Sequence, residues 1–161
     1  MKKNFYITTP IYYVNDKPHI GHAYTTILAD VLARFNRGMG KDTFFLTGLD
    51  EHGQKVQQAA QNSGMSPKEH CDLMAPKFTA LWKRLHISND DFIRTTDERH
   101  KKVVKKVLEI VSKRGDIYES EYEGLYSISE ERFITEKEAD SGVYRDIKKL
   151  KEKNYFFKMS K

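Results

Sequence analysis

The chain has 161 residues, 39% of them hydrophobic and 32% charged, with a formal net charge of +5. That content supports one buried core with an appendage, and the mild basic excess permits nucleotide or nucleic-acid contact without requiring it. A single cysteine, Cys71, excludes an internal disulfide and a cysteine-rich zinc site; with no secretory leader and no apolar run long enough to span a bilayer, a cytoplasmic protein without membrane contact is expected.

Residues 5–8 combine aromatic and β-branched side chains and predict a buried strand. The chain then turns into a helix in which Ala23, Ile27, Val31, Leu32 and Phe35 recur at helical spacing up to Gly38, a predicted C-cap. In parallel α/β sheets ligands sit at the carboxyl ends of strands, where the next helix offers free N–H groups and the positive end of its dipole. At that turn stands His19-Ile20-Gly21-His22. Imidazoles three residues apart share a helix face, and Gly21 lets a ligand approach the backbone. On the residues alone the pair either donates to the phosphates of a triphosphate attacked at its α-phosphorus or simply caps and packs the helix. Metal ligation by His19, His22, Asp50, Glu51 and His52 is a third and smaller alternative. The neighbouring Pro10, Ile11 and Tyr13 favour a small organic ligand with an apolar side chain.

Residues 43–46 read as a second buried strand that closes a right-handed βαβ unit. At its end Asp50 either neutralises an α-ammonium group or N-caps the following helix. Residues 54–62 are helical with Gly64 as C-cap. Ser66-Pro67-Lys68-Glu69 is a capping box opening a helix to Leu85, which Pro76 should kink or split. Phe78, Leu81, Trp82 and Leu85 are expected in the core. Residues 91–94 predict a third strand, and Thr95 or Thr96 caps a helix over 97–114. That helix has an inward stripe of Val103, Val104, Val107, Leu108, Ile110 and Val111. Its Lys101, Lys102, Lys105 and Lys106 form a solvated face or, more sharply, a contact for nucleic-acid phosphates. Past Gly115 the character changes. Tyr118, Tyr122, Leu125, Tyr126 and Ile128 are β-prone, residues 146–153 are strongly basic, and 154–157 read as a strand, so a boundary is placed near residue 115.

Five stretches carry a resemblance in order and spacing: residues 8–15 (Thr-Thr-Pro-Ile-Tyr-Tyr-Val-Asn), Pro18 to His22, Thr47-Gly48-Leu49-Asp50-Glu51-His52-Gly53, Asp91 to Thr96, and Tyr122-Glu123-Gly124-Leu125-Tyr126. Together they resemble the signatures of methionyl-tRNA synthetases, a class I aminoacyl-tRNA synthetase family, along the whole chain but only over the N-terminal portion of such an enzyme. The resemblance implies an α/β fold: the first half of a class I Rossmann-like parallel sheet with helices over 1–115, and part of a connective insertion over 116–161. It implies ATP-dependent activation of methionine to methionyl-adenylate and transfer to tRNA, carried here in part. Methionine and ATP, the latter with Mg2+, are the ligands; tRNA contact would lack its anticodon-binding region. By resemblance His19 and His22 are the catalytic pair, Pro10, His19, Gly21 and His22 hold ATP, and Pro10, Ile11, Tyr13 and Asp50 bind methionine, Asp50 through the amino group. A non-catalytic binding or regulatory relative of the synthetases is the alternative from another class.

Where zinc-bearing relatives show Cys-x-x-Cys after Gly-Leu-Tyr, this chain has Ser127-Ile128-Ser129-Glu130, so no structural zinc and no other metal site is expected. A shortened connection over 136–144 should replace the knuckle. Lys158-Met159-Ser160-Lys161 spells the lysine signature that class I synthetases use on the triphosphate, but it follows a strand that ends the insertion and reads as coincidence. A half-sheet would leave the edge beside residues 5–8 unpaired. The 161-residue chain is therefore expected to self-associate or to need a partner for the missing half, and not to support pyrophosphate exchange at an ordinary rate alone.

Overall fold

The computed structural model describes residues 3–127, 129–130, 132–144 and 146–160. They divide into two compact units, Met1–Lys102 and Val103–Lys161. Among them no helix is long and apolar enough to cross a membrane.

The first unit runs β1 (Asn4–Thr8), β2 (Tyr12–Tyr13), α1 (Ile20–Gly38), β3 (Asp42–Asp50), α2 (Gln54–Asn62), α3 (Pro67–Arg84) and β4 (Asp91–Arg94). All the strands are parallel, and β3 is central. Leu46 pairs with both Thr8 and Asp91, and Leu49 with both Tyr12 and Arg94. Hence β1 and β2 share one edge of β3 and β4 takes the other. The sheet has four strands where three were expected, and the addition is β2. Thr9 still donates its N–H to the Leu46 carbonyl at 3.2 Å, but Pro10 has no N–H to offer the ladder. The chain therefore bulges away and rejoins β3 at Tyr12. The central strand is also longer than expected and continues through Gly48, where a Cβ would stand 2.1 Å from the Ile93 carbonyl oxygen. Only glycine lets β4 approach that closely.

Helix α1 reaches Gly38, with Met39 rather than Gly38 as C-cap. The side it turns to the sheet is small: Ala29 and Ala33 pack on Phe45, flanked by Ile7 and Ile87. The apolar residues at helical spacing lie elsewhere; Ile27, Val31, Leu32 and Phe35 are exposed, Phe35 by 63%. Helix α3 opens on the expected Ser66 and Glu69 capping box. It runs through Pro76 as one helix, so of the expected kink or split the split does not occur. Pro76 sits on the exposed side with Asp72, whose carbonyl loses its helical partner and can turn to water instead. Phe78 and Trp82 are buried with Tyr12, Val14, Leu49, Val56, Cys71 and Ala75, and Leu81 and Leu85 pack against them.

Helix α4 (Glu98–Lys113) leads into the second unit, where β5 (Ile117–Ser127), β6 (Arg132–Ile134) and β7 (Ile147–Phe157) form an antiparallel sheet in the order β6-β5-β7. The expected inward stripe of α4 is not inward. None of its residues is buried, and Val103, Val104, Val107, Leu108 and Ile110 are exposed. Apolar periodicity identifies a face that needs cover, and the residues present do not supply that cover. The segment expected as a loop over 136–144 contains a short helix, α5 (Glu136–Asp140), opened by a reciprocal cap between Thr135 and Glu138. The expected strand at 154–157 forms the end of β7. Two of the residues singled out in the sequence, Ile128 and Lys161, lie outside the described residues.

Candidate functional site

The turn from β2 into α1 is closed by its two histidines. His19 is the N-cap: its Nδ1 accepts the Gly21 N–H at 3.1 Å, while His22 Nδ1 accepts the His19 N–H at 3.1 Å. This is a capping box built from imidazoles in place of the usual hydroxyl and carboxylate. Their rings lie 3.9 Å apart between centroids. Because each Nδ1 is an acceptor, each neutral ring carries its proton on Nε2, so both rings keep one N–H donor that the cap does not consume. Capping and phosphate donation are thus compatible. The glycine between them leaves room for the ring, since a Cβ at Gly21 would stand 3.0 Å from His19 Cε1 and push it aside.

A layer of buried aromatics supports His22. Its ring meets Tyr12 edge-on at 4.8 Å and Phe78 at 5.4 Å. Burial, and then the neighbouring His19, hold the His22 pKa below its ordinary value. Thr26 donates to the His22 carbonyl at 2.9 Å, so the Tyr12 hydroxyl, 2.9 Å from Thr26 Oγ1, must be the donor in that contact. Tyr12 and Thr26 had no part in the site read from the sequence. The alternation of Tyr12 and Val14 inward with Tyr13 outward was the signal that could have found the first of them.

A cleft of about 400 Å³ is lined by Ile11, Tyr12, Tyr13, Asn15, Asp16, Lys17, His19 and His22. It brings together four of the residues singled out in the sequence: Ile11, Tyr13, His19 and His22. Pro10, Gly21 and Asp50 are not in its lining. Pro10 is exposed, its carbonyl accepting the Thr9 hydroxyl at 2.9 Å. Asp50 pairs with Tyr13 across the β2–β3 ladder, which puts it one strand spacing from the cleft.

Asp50 does not cap α2, whose N-cap is Gly53. Its Oδ1 accepts the His52 N–H at 3.3 Å instead. The following Glu51 turns away from the histidines and forms an ion pair with Arg94 at 2.6 Å. Thr95 Oγ1 accepts the Glu51 N–H, and the Thr96 hydroxyl donates to the Glu51 carboxylate. Among the described residues no group of three or more His, Cys, Asp or Glu is arranged to hold a metal ion. Cys71 is buried nearby, and burial, then the Glu51 carboxylate, push its thiol up to about 11, which makes it a poor nucleophile or ligand at neutral pH. At the far end, Lys158 Nζ donates to the Gly115 carbonyl at 2.7 Å, at the C-terminal end of α4.

Residues 5–149 match the model of the family described as tRNA synthetases class I (M). The methionine–tRNA ligase of Fusobacterium nucleatum is 55% identical over 100% of this chain, and that of Thermotoga maritima 54% identical over 98%. The chain spans 26% of the length of each, about a quarter. Among solved structures, Mycobacterium tuberculosis methionyl-tRNA synthetase in complex with methionyl-adenylate superposes with a TM-score of 0.91 at 40% identity, over 98% of this chain and 33% of that one. A leucyl-tRNA synthetase of Agrobacterium radiobacter shares the fold, with a TM-score of 0.81 at 18% identity. With its parallel sheet, its histidine-capped first helix and these matches, the chain belongs to the methionyl-tRNA synthetase family of class I aminoacyl-tRNA synthetases.

Proposed function

We propose that this chain carries the methionine- and phosphate-contacting portion of a methionine–tRNA ligase, with residues 1–115 as its nucleotide-binding half-domain and 116–161 as part of a connective insertion that lacks a zinc knuckle. The observation that carries the reading is the reciprocal His19 and His22 cap, which leaves two Nε2–H donors at a helix N-terminus beside a cleft where Ile11, Tyr12 and Tyr13 meet Asn15, Asp16 and Lys17. In the reaction, a methionine carboxylate oxygen bonds to the α-phosphorus of ATP and the bond to the bridging oxygen of pyrophosphate breaks. The histidine donors and the dipole of α1 meet the charge that builds on the phosphate oxygens. No side chain need act as nucleophile or base, because the substrate carboxylate is already ionised; positioning and charge stabilisation supply the rate. Pro10, His19, Gly21 and His22 would hold ATP, which brings its Mg2+. Pro10, Ile11 and Tyr13 would receive the methionine side chain, and Asp50 the α-ammonium group. Transfer to tRNA is the second half of the same activity.

Asp50 gives the test. Asp50→Ala removes the partner of a partly desolvated ammonium and is expected to weaken methionine binding by roughly 2 to 5 kcal/mol. Calorimetry that finds unchanged affinity would show that Asp50 only shapes the turn after β3.

A further inference from the structure

Two stretches whose individual roles the sequence leaves open, Glu51-His52 after β3 and Arg94-Thr95-Thr96 after β4, meet at the carboxyl rim of the sheet. The side chain of Glu51 is 0% exposed. A carboxylate so placed needs compensation or it takes up a proton. Compensation is complete: Arg94 Nε donates to Oε1 at 2.6 Å and the Thr96 hydroxyl donates to Oε2. The Glu51 N–H donates to Thr95 Oγ1 at 2.9 Å, and the carbonyl of the same Thr95 lies 3.4 Å from His52 Nε2. Arg94 extends its other arm to Asp72 on α3 at 2.6 Å. The residue just before Glu51 is Asp50, whose carboxylate accepts the N–H of the residue just after it, His52. The two residues that follow Asp50 are therefore tied to residues 94–96.

A buried ion pair is a poor device for stability, since an apolar pair of equal volume commonly does as well. It is a good device for aim, because a displacement of about 1 Å at a binding group can cost roughly a hundredfold in function. We propose that Glu51, gripped by Arg94, Thr95 and Thr96, is a positioning residue that fixes the carboxylate of Asp50 for the methionine ammonium group. This rests on the reading of Asp50 given above.

The experiment is calorimetry of the chain with methionine and, separately, with ATP, together with the melting temperature of each variant. Glu51→Gln keeps the volume and one acceptor but leaves Arg94 without its buried counter-charge. It is expected to weaken methionine binding roughly tenfold to a hundredfold. ATP affinity should stay unchanged, because the histidine cleft lies on the separate turn from β2 to α1. Thr96→Val removes one donor, leaves the ion pair intact, and should lower methionine affinity severalfold; it serves if Glu51→Gln does not fold. A merely structural role would lower the melting temperature and weaken both ligands alike or neither, and either result overturns the proposal. If Asp50→Ala abolishes methionine binding while folded Glu51→Gln and Thr96→Val bind normally, the clamp is wrong and the site reading stands. If Asp50→Ala has no effect, or the wild-type chain does not bind methionine, the site reading fails and takes the clamp with it.

Discussion

His22 shows how one residue serves structure and chemistry with different atoms. Its Nδ1 closes the helix cap while its ring leans on Tyr12 and Phe78. Burial, and then His19, depress its pKa from the ordinary 6.5. The folded protein thus holds the His22 proton less tightly than the unfolded chain. The stability tied to this residue is complete above about pH 6.5 and is lost as the pH falls from there toward the lower folded value. Titration of the His22 ring protons by NMR should give a midpoint below 6.5; one at or above it would mean the ring is free of its aromatic bed. Gly21→Ala tests the cap from the other side. Its Cβ would crowd His19 Cε1 at 3.0 Å, so the ring must shift, and ATP affinity is expected to fall about tenfold with little loss of stability. Unchanged ATP affinity would dissociate the cap from phosphate binding.

At the scale of elements, the end of β5 is held by a cluster of hydroxyls around one carboxylate. The Ser127 hydroxyl is fully buried, lies 3.3 Å from Asp146 Oδ1, and accepts the Glu130 N–H at 3.3 Å. The Ser129 hydroxyl also donates to Asp146, at 3.1 Å. A carboxylate and two hydroxyls thereby join the end of β5 to the residue that precedes β7. Partial burial pushes the Asp146 carboxyl up, but the hydrogen bonds from the Ser129 N–H and from the two hydroxyls together hold it below its ordinary range. The stability it contributes is present above the usual aspartate pKa and is lost as the pH falls through the depressed folded value. Ser127→Ala should cost the second unit about 1 kcal/mol, because the Glu130 N–H and the Asp146 carboxylate each lose a partner. Urea denaturation followed through the aromatic residues of β5 and β7 should register the loss, and an unmoved midpoint would mean that this cluster holds nothing.

The molecule as a whole carries apolar surface that its own residues leave open. On α1, Ile20, Tyr24, Leu28, Val31 and Phe35 are each more than half exposed, and among the described residues β1 pairs with β3 alone. An open strand edge beside an apolar helix face is a surface that soluble proteins normally cover. The 161-residue chain should therefore show a mass that rises with concentration in light scattering at micromolar levels. Replacing Tyr24 and Phe35 by lysine should suppress that rise. A monomer at all concentrations in the unaltered chain would show that this face is tolerated in water.

The local periods and punctuation of the sequence determined most of the elements and the position of the turn that bears the histidines. Helix α2, the capping box at Ser66 and strand β4 follow from residues adjacent in the chain, where capping and alternation act over one or two turns. The resemblance of five separated stretches was likewise legible, because each is a short contiguous signature. Tertiary structure alone decided which faces are covered: the stripes on α1 and α4 look like core in sequence and are open in space, since a period records a need for cover without saying what supplies it. It also decided that Tyr12 rejoins the sheet past Pro10, and that Glu51 leaves the histidines for Arg94, 43 positions away along the chain. Such choices depend on pairings between distant strands, whose energies no local pattern contains.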